Sequence, residues 1–217
     1  MAEKAQESPR AEAIATFGAP DELKAAAADV GGNTVSAPPT SQFWLRGTIV
    51  GASNSNIGGM TVTSLGGSWG TWNTALLVGG CSPFYADDVA LIADDQGNAG
   101  INGECVAVNW NSGVSGPSQV YISYSTITCQ MENGQSVAQA AIFGGPANVE
   151  LIETKVVAQG GSQQFGVTSI NAAVVNLRDC YVQGATWALY LPDGQSTLIA
   201  TSCQIQGPIS QGVQVNP

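Results

Sequence analysis

Four ten-residue segments in the C-terminal half superpose without internal gaps, and this repeat limits what the chain can fold into more than any other feature. They cover residues 120–129, 149–158, 175–184 and 198–207. Their first position holds Val120, Val149, Val175 and Leu198, and their third holds Ile122, Leu151, Leu177 and Ala200. The sixth holds Ser125, Thr154, Cys180 and Cys203, and the eighth holds Ile127, Val156, Val182 and Ile205. Residues two apart on a strand share a face. Positions 1 and 3 therefore point one way, and so do 6 and 8. Between 3 and 6 the phase slips by one, which predicts a bend between two short strands. A third strand is expected after each segment, at 141–143, 166–168, 188–190 and 212–215.

Three short strands per repeat, with repeats starting 29, 26 and 23 residues apart, describe one coil of a parallel β-helix. Such a coil cannot bury its inner face alone. Coils stack at about 4.8 Å, with like side chains over one another. Ser125, Thr154, Cys180 and Cys203 then form one inner ladder. Weaker copies at 61–63, 75–78, 89–94 and 105–108 raise the total to five or six coils. The predicted fold is all-β, a parallel β-helix with an extended N-terminal arm; a sandwich or jelly roll is the competing arrangement.

Composition agrees and divides the chain. Of 217 residues, 44% are hydrophobic, only 10% are charged and 27 are Gly, which excludes a solvated helical protein. Nine of the 22 charged residues fall in the first 40, marking residues 1–40 as an arm. Within it, Pro20, Asp21 and Glu22 followed by Leu23, Lys24 and Ala25 to Ala28 predict one short helix, stopped at Gly31-Gly32. Arg10, Phe17, Leu23 and Lys24 are the residues suited to anchor this arm. Residues 41–80, rich in Gly and Trp, are expected to cap or attach, and 81–217 to form the β-helix.

There is no histidine, which removes His-based nucleophile systems and His-bearing metal sites. The net charge of −10 argues against nucleic acid. No apolar signal core opens the chain and no run approaches 18 apolar residues, so a soluble protein made in the cytoplasm, with no membrane partner, is expected. Cys81, Cys105, Cys129, Cys180 and Cys203 are odd in number and contain no CxxC pair. They read as small buried hydrophobes, spaced 24, 24 and 23 apart where the repeat would place them. No metal or cofactor is expected.

Asp87, Asp88, Asp94 and Asp95 are the one set that could serve glycoside cleavage, which needs two carboxylates about 5–10 Å apart. Solvated turn acids are the plainer reading. The segment from Asp94 to Glu104 resembles a calcium loop in its first three ligand positions, but Ala99 stands where Gly is needed and Glu104 falls one place short. Trp44, Trp69, Trp72, Trp110 and Trp187 offer a sugar-stacking platform or core and interface anchors.

Leu151-Ile152, Val156-Val157, Val174-Val175, Leu198-Ile199 and the run from Ala140 to Phe143 are apolar on both sides of their strands. An outer face of that kind expects cover. Ile152, Val157, Val174 and Ile199 are therefore predicted at a homo-oligomer interface. The final strand segment, ending Val213-Gln-Val-Asn-Pro217, has no capping segment and points the same way.

With repeats such as Val175-Asn-Leu-Arg-Asp-Cys-Tyr-Val-Gln-Gly184, residues 81–217 resemble the right-handed parallel β-helix proteins. That group includes pectin-lyase-like enzymes, phage tailspikes and trimeric phage capsid decoration proteins. The resemblance implies a homotrimer on the virion surface that cements the major capsid protein. It leaves open a small tailspike-type polysaccharide depolymerase and a glycan-binding module.

Overall fold

The computed structural model describes residues 48–65, 72–110 and 116–217 in full, and the backbone alone of 23–29, 34–36 and 43–47. Among the described residues all regular structure is β, in twenty strands, and every strand pairing is parallel. The strands fall into three ladders that the chain visits in turn.

The first ladder runs through β2 (Thr34–Ser36), the first half of β4 (Ser55–Leu65) and the first half of β7 (Phe84–Asp94). It continues through β9 (Ser118–Ser123), β12 (Ala147–Ile152), β15 (Val174–Arg178), β18 (Thr197–Thr201) and β20 (Gln214–Asn216). The second takes the start of β3 (Phe43–Val50), the second halves of β4 and β7, β10 (Thr126–Met131), β13 (Lys155–Gly160), β16 (Tyr181–Gln183) and β19 (Gln204–Gln206). The third takes the ends of β1 (Leu23–Asp29) and β3, then β6 (Leu76–Val78), β8 (Asn102–Val108), β11 (Val137–Gly144), β14 (Gln163–Ile170) and β17 (Trp187–Tyr190). Short β5 (Trp72–Asn73) pairs with the start of β8. The result is one curled sheet, compatible with a β-solenoid-like fold.

The bend between the first and second ladders lies where the phase slip puts it. Position 5 of the repeat is Tyr124, Glu153, Asp179 and Ser202, and all four have left-handed backbones, with φ of 50, 45, 55 and 54°. Asp88 and Gly59 continue this corner upstream at 52 and 61°. A left-handed residue costs a non-glycine roughly 1–2 kcal/mol, so the packing on either side must hold the corner in place.

That packing is the interior. Ile57, Ala86, Ile122, Leu151, Leu177 and Ala200 stack in one column. Val62, Leu91, Ile127, Val156 and Val182 make a second, and Ile49, Leu76, Val106, Ala141, Val167 and Leu189 a third. All these side chains are buried. Each large one contributes roughly 1.5–3 kcal/mol, which offsets the ordering of strands too short to hold alone. Between turns the backbone comes so close that some positions exclude any side chain. A Cβ on Gly145 would lie 1.7 Å from Asn171 O, and one on Gly184 would lie 2.4 Å from Trp187 O.

Three expectations are corrected. The helix over 20–28 does not form where the chain is described: Leu23–Asp29 is strand β1, paired with β3 through Leu23–Leu45 and Ala27–Thr48. So short a helix is marginal in isolation, and pairing along a ready-made ladder overrides the alanines. The strand at 212–215 is not a third-ladder strand. Gln214–Asn216 has already returned to the first ladder against β18, and the third ladder is reduced there to a single bridge, Leu189–Ile209. Pro208, which has no N–H to donate, precedes that bridge. Finally, the even spacing of the first three cysteines is not a column. Cys105 lies in β8 of the third ladder, Cys129 in β10 of the second, and Cys81 between strands. Stacked residues are 36 apart from Phe84 to Val120 but only 23 apart from Val175 to Leu198, so a constant interval cannot follow one column.

Candidate functional site

The four candidate catalytic acids do not converge. Asp87 and Asp88 sit at the corner in the middle of β7, and Asp94 and Asp95 sit at its far end. Six residue steps along the strand separate Asp88 from Asp94, or about 20 Å at about 3.3 Å each, beyond the roughly 5–10 Å that carboxylate-pair chemistry tolerates. Asp87 is exposed and accepts a hydrogen bond from Ser123 Oγ at 2.6 Å; Asp94 accepts one from the Gln96 N–H at 2.7 Å.

Asp95 is fully buried, and its carboxylate serves the fold. It accepts from the backbone N–H groups of Gly97, Glu132 and Asn133 at 2.9, 2.7 and 3.0 Å, and from Ser136 Oγ at 2.9 Å. Burial pushes its pKa up, but these four donors outweigh burial and hold the carboxyl below its ordinary value. Asp95 thereby ties the loop after β7 to the loop after β10, one turn further on. Asp193 does the same between later turns, accepting from the backbones of Asn171, Gln195 and Ser196; those bonds likewise overcome burial and lower its pKa. The last candidate calcium-loop ligand is also engaged elsewhere. Glu104 is buried in β8, where it accepts from Trp110 Nε1 at 2.8 Å. Among the described residues no three His, Cys, Asp or Glu side chains are grouped to hold a metal.

The predicted interface residues are placed on two walls. Val174, Ile199 and Ile152 lie on the outer side of the first ladder in three different columns, among Asn148, Asn176, Thr197 and Thr201. Arg178 and Glu150 cross that wall as an ion pair at 3.7 Å, an exposed contact of little energetic weight. Val174 is exposed, while Ile152 and Ile199 are half-buried. Val157 lies on the second ladder and is buried within the chain. Leu23 and Lys24 lie in β1; Arg10 and Phe17 lie outside the described residues, as does Trp69.

Sequence reading reached the outer side of the third ladder only through the run 140–143, and missed the rest of that wall. Leu77, Ala107 and Ile142 stack there as a cluster separate from the interior, with Trp110 and Ile170 packed on it. Further along the same wall Phe165 pairs with Trp187 in register, and Trp187 stacks on Tyr190 at 5.5 Å and 16° between ring planes. Phe165 tilts against Tyr190 at 5.4 Å. All three rings are half-buried. Gln139 Nε2 donates to Thr168 Oγ1 at 2.7 Å beside them. The available signal was the apolar run 140–143 followed by aromatics at 165, 187 and 190. Those aromatics share a wall only once the register is known. A half-buried aromatic wall can bury itself on a second protein surface or stack on a sugar ring.

Compared with protein families, with curated proteins and with solved structures, the chain has no match.

Proposed function

We propose that the chain is a parallel β-helix with a structural role: a capsid decoration protein that trimerises side by side and is anchored to its shell by residues 1–40. The observation that carries this reading is the third-ladder wall. Its accessible part is the half-buried Phe165, Trp187 and Tyr190, next to Leu77, Ala107 and Ile142 that are already buried within the chain, while the first-ladder wall is mixed with Asn, Thr, Glu and Arg. Three such rods can bury this wall along a shared axis. The buried area, and the arms bridging neighbouring shell subunits, would raise the cost of rupture. The separation of the two acidic pairs along β7 favours this reading over a depolymerase.

Trp187→Glu places a charge in the wall without touching the interior. It should convert the trimer to monomers in sedimentation, with the circular dichroism spectrum unchanged. Trimers persisting in that variant would move the interface elsewhere, with Ile152, Val174 and Ile199 next to be tested. Deleting residues 1–40 should leave the oligomer intact but abolish its binding to shell particles; a truncated protein that still decorates them contradicts the anchor.

The stacked Trp187 and Tyr190 favour one second reading, a glycan-binding wall without turnover. Glycan-array binding lost in Trp187→Ala, by a chain that is monomeric from the outset, would select it.

A further inference from the structure

Cys180 and Cys203 occupy the same position of successive turns. The residues that follow them pair in register, Tyr181 with Gln204 and Val182 with Ile205, and Gln204 N–H donates to Cys180 O at 2.9 Å. Paired strands lie about 4.8 Å apart, inside the roughly 4.4–6.8 Å between Cα atoms that a disulfide spans. Both sulfurs belong to the column begun by Ser125 and Thr154. Cys180 Sγ contacts Arg178 O at 3.3 Å and Leu151 O at 3.4 Å, and Cys203 Sγ contacts Thr201 O at 3.2 Å.

The two thiols are not equivalent. Cys180 is buried, while Cys203 is half-buried and reaches solvent. The neighbouring Cys180 side chain holds the pKa of Cys203 down to about 6, against the opposing effect of burial. The same interaction, with burial, pushes Cys180 up. Cys203 is thus the more exposed and the more acidic thiol of the two, and Cys180 the buried partner beside it. The remaining cysteines offer no such pair. Cys81, Cys105 and Cys129 are all buried, and burial raises the thiols of the last two.

We infer that Cys180 and Cys203 form a peroxide-responsive dithiol that closes to a disulfide bridging two successive turns. The Cys203 thiolate attacks one oxygen of hydrogen peroxide. The O–O bond breaks, the leaving hydroxide takes up a proton as water, and Cys203 becomes a sulfenic acid. The Cys180 sulfur then attacks the Cys203 sulfur. The S–O bond breaks, and the departing hydroxide leaves as a second water with the Cys180 proton. Two thiols lose two electrons in all, and the peroxide gains them. The bridge staples the turn of β18 and β19 to the turn of β15 and β16, where no later full turn covers the stack among the described residues.

The test treats the full-length reduced protein with hydrogen peroxide and reads intact mass and the peptide map. The expected result is a loss of two hydrogens with Cys180 linked to Cys203. Cys180→Ser should leave a dimedone-reactive sulfenic acid at Cys203. Cys203→Ser should slow thiol alkylation at pH 7 by at least about tenfold, because the remaining thiols are buried. A link through another cysteine, unchanged mass, or sulfenic acid at Cys180 alone would overturn the inference. The wild-type map decides the question even if a variant fails to fold.

Discussion

Asp95→Ala should lower stability by about 3–5 kcal/mol, the size expected when one partner is removed from a buried, fully bonded charge. For a chain of this size that is on the order of 10 °C in Tm. The cause is specific. Three backbone N–H groups and the Ser136 hydroxyl lose their acceptor together, and two loops from successive turns lose their tie. Asp95→Asn should recover only part of the loss, since its amide offers one acceptor oxygen in place of two. The acid also predicts a pH dependence. Its folded pKa is depressed, so its contribution is complete above the unfolded value of about 3.9 and is lost as pH falls through the lower folded value. Thermal melts from pH 7 down to pH 2 should show wild type and Asp95→Ala converging at the acid end. A constant gap across that range would mean the carboxylate charge is irrelevant.

Leu151→Ala should cost about 2–5 kcal/mol, while Ile152→Ala, one residue away, should cost under about 1 kcal/mol. Leu151 is fully buried between Ile122 and Leu177 in the interior column. Its removal leaves a cavity that neighbours above and below, each held by its own ladder, cannot collapse to fill. Ile152 faces outward between Ser123 and Arg178 and is half-buried. Chemical denaturation of both variants checks the contrast. Equal losses would mean that both sides of β12 are core, and the inside-outside assignment of that strand would fail.

Much of this was legible from residues alone because the strand period is two and the turns stack like on like. Val120, Val149, Val175 and Leu198 fall on one column, and so do Cys180 and Cys203. Even the corner was legible: a phase slip between positions 3 and 6 can only mean that a residue there turns the chain, and position 5 has the left-handed backbone each time. The errors came where turn length changes. The loops after β7 and β8 stretch one turn, so the interval from Cys81 to Cys105 to Cys129 matches a repeat that the chain does not keep there.

The sequence by itself determined the strand content and the corner, which follow from neighbours within about ten residues, and the inner columns, which follow from the recurrence of one ten-residue pattern. Only the tertiary structure decided what the outer side chains and the acids do. Asp95 could not be told from Asp94 in the sequence, yet one is a buried tie between turns and the other a half-exposed acid at the end of β7. Phe165 and Trp187 become neighbours through the pairing of β14 with β17, and Glu104, buried in β8, accepts from Trp110. Which wall a residue joins depends on the length of every intervening loop. Loop length leaves no periodic mark, so the site had to wait for the register.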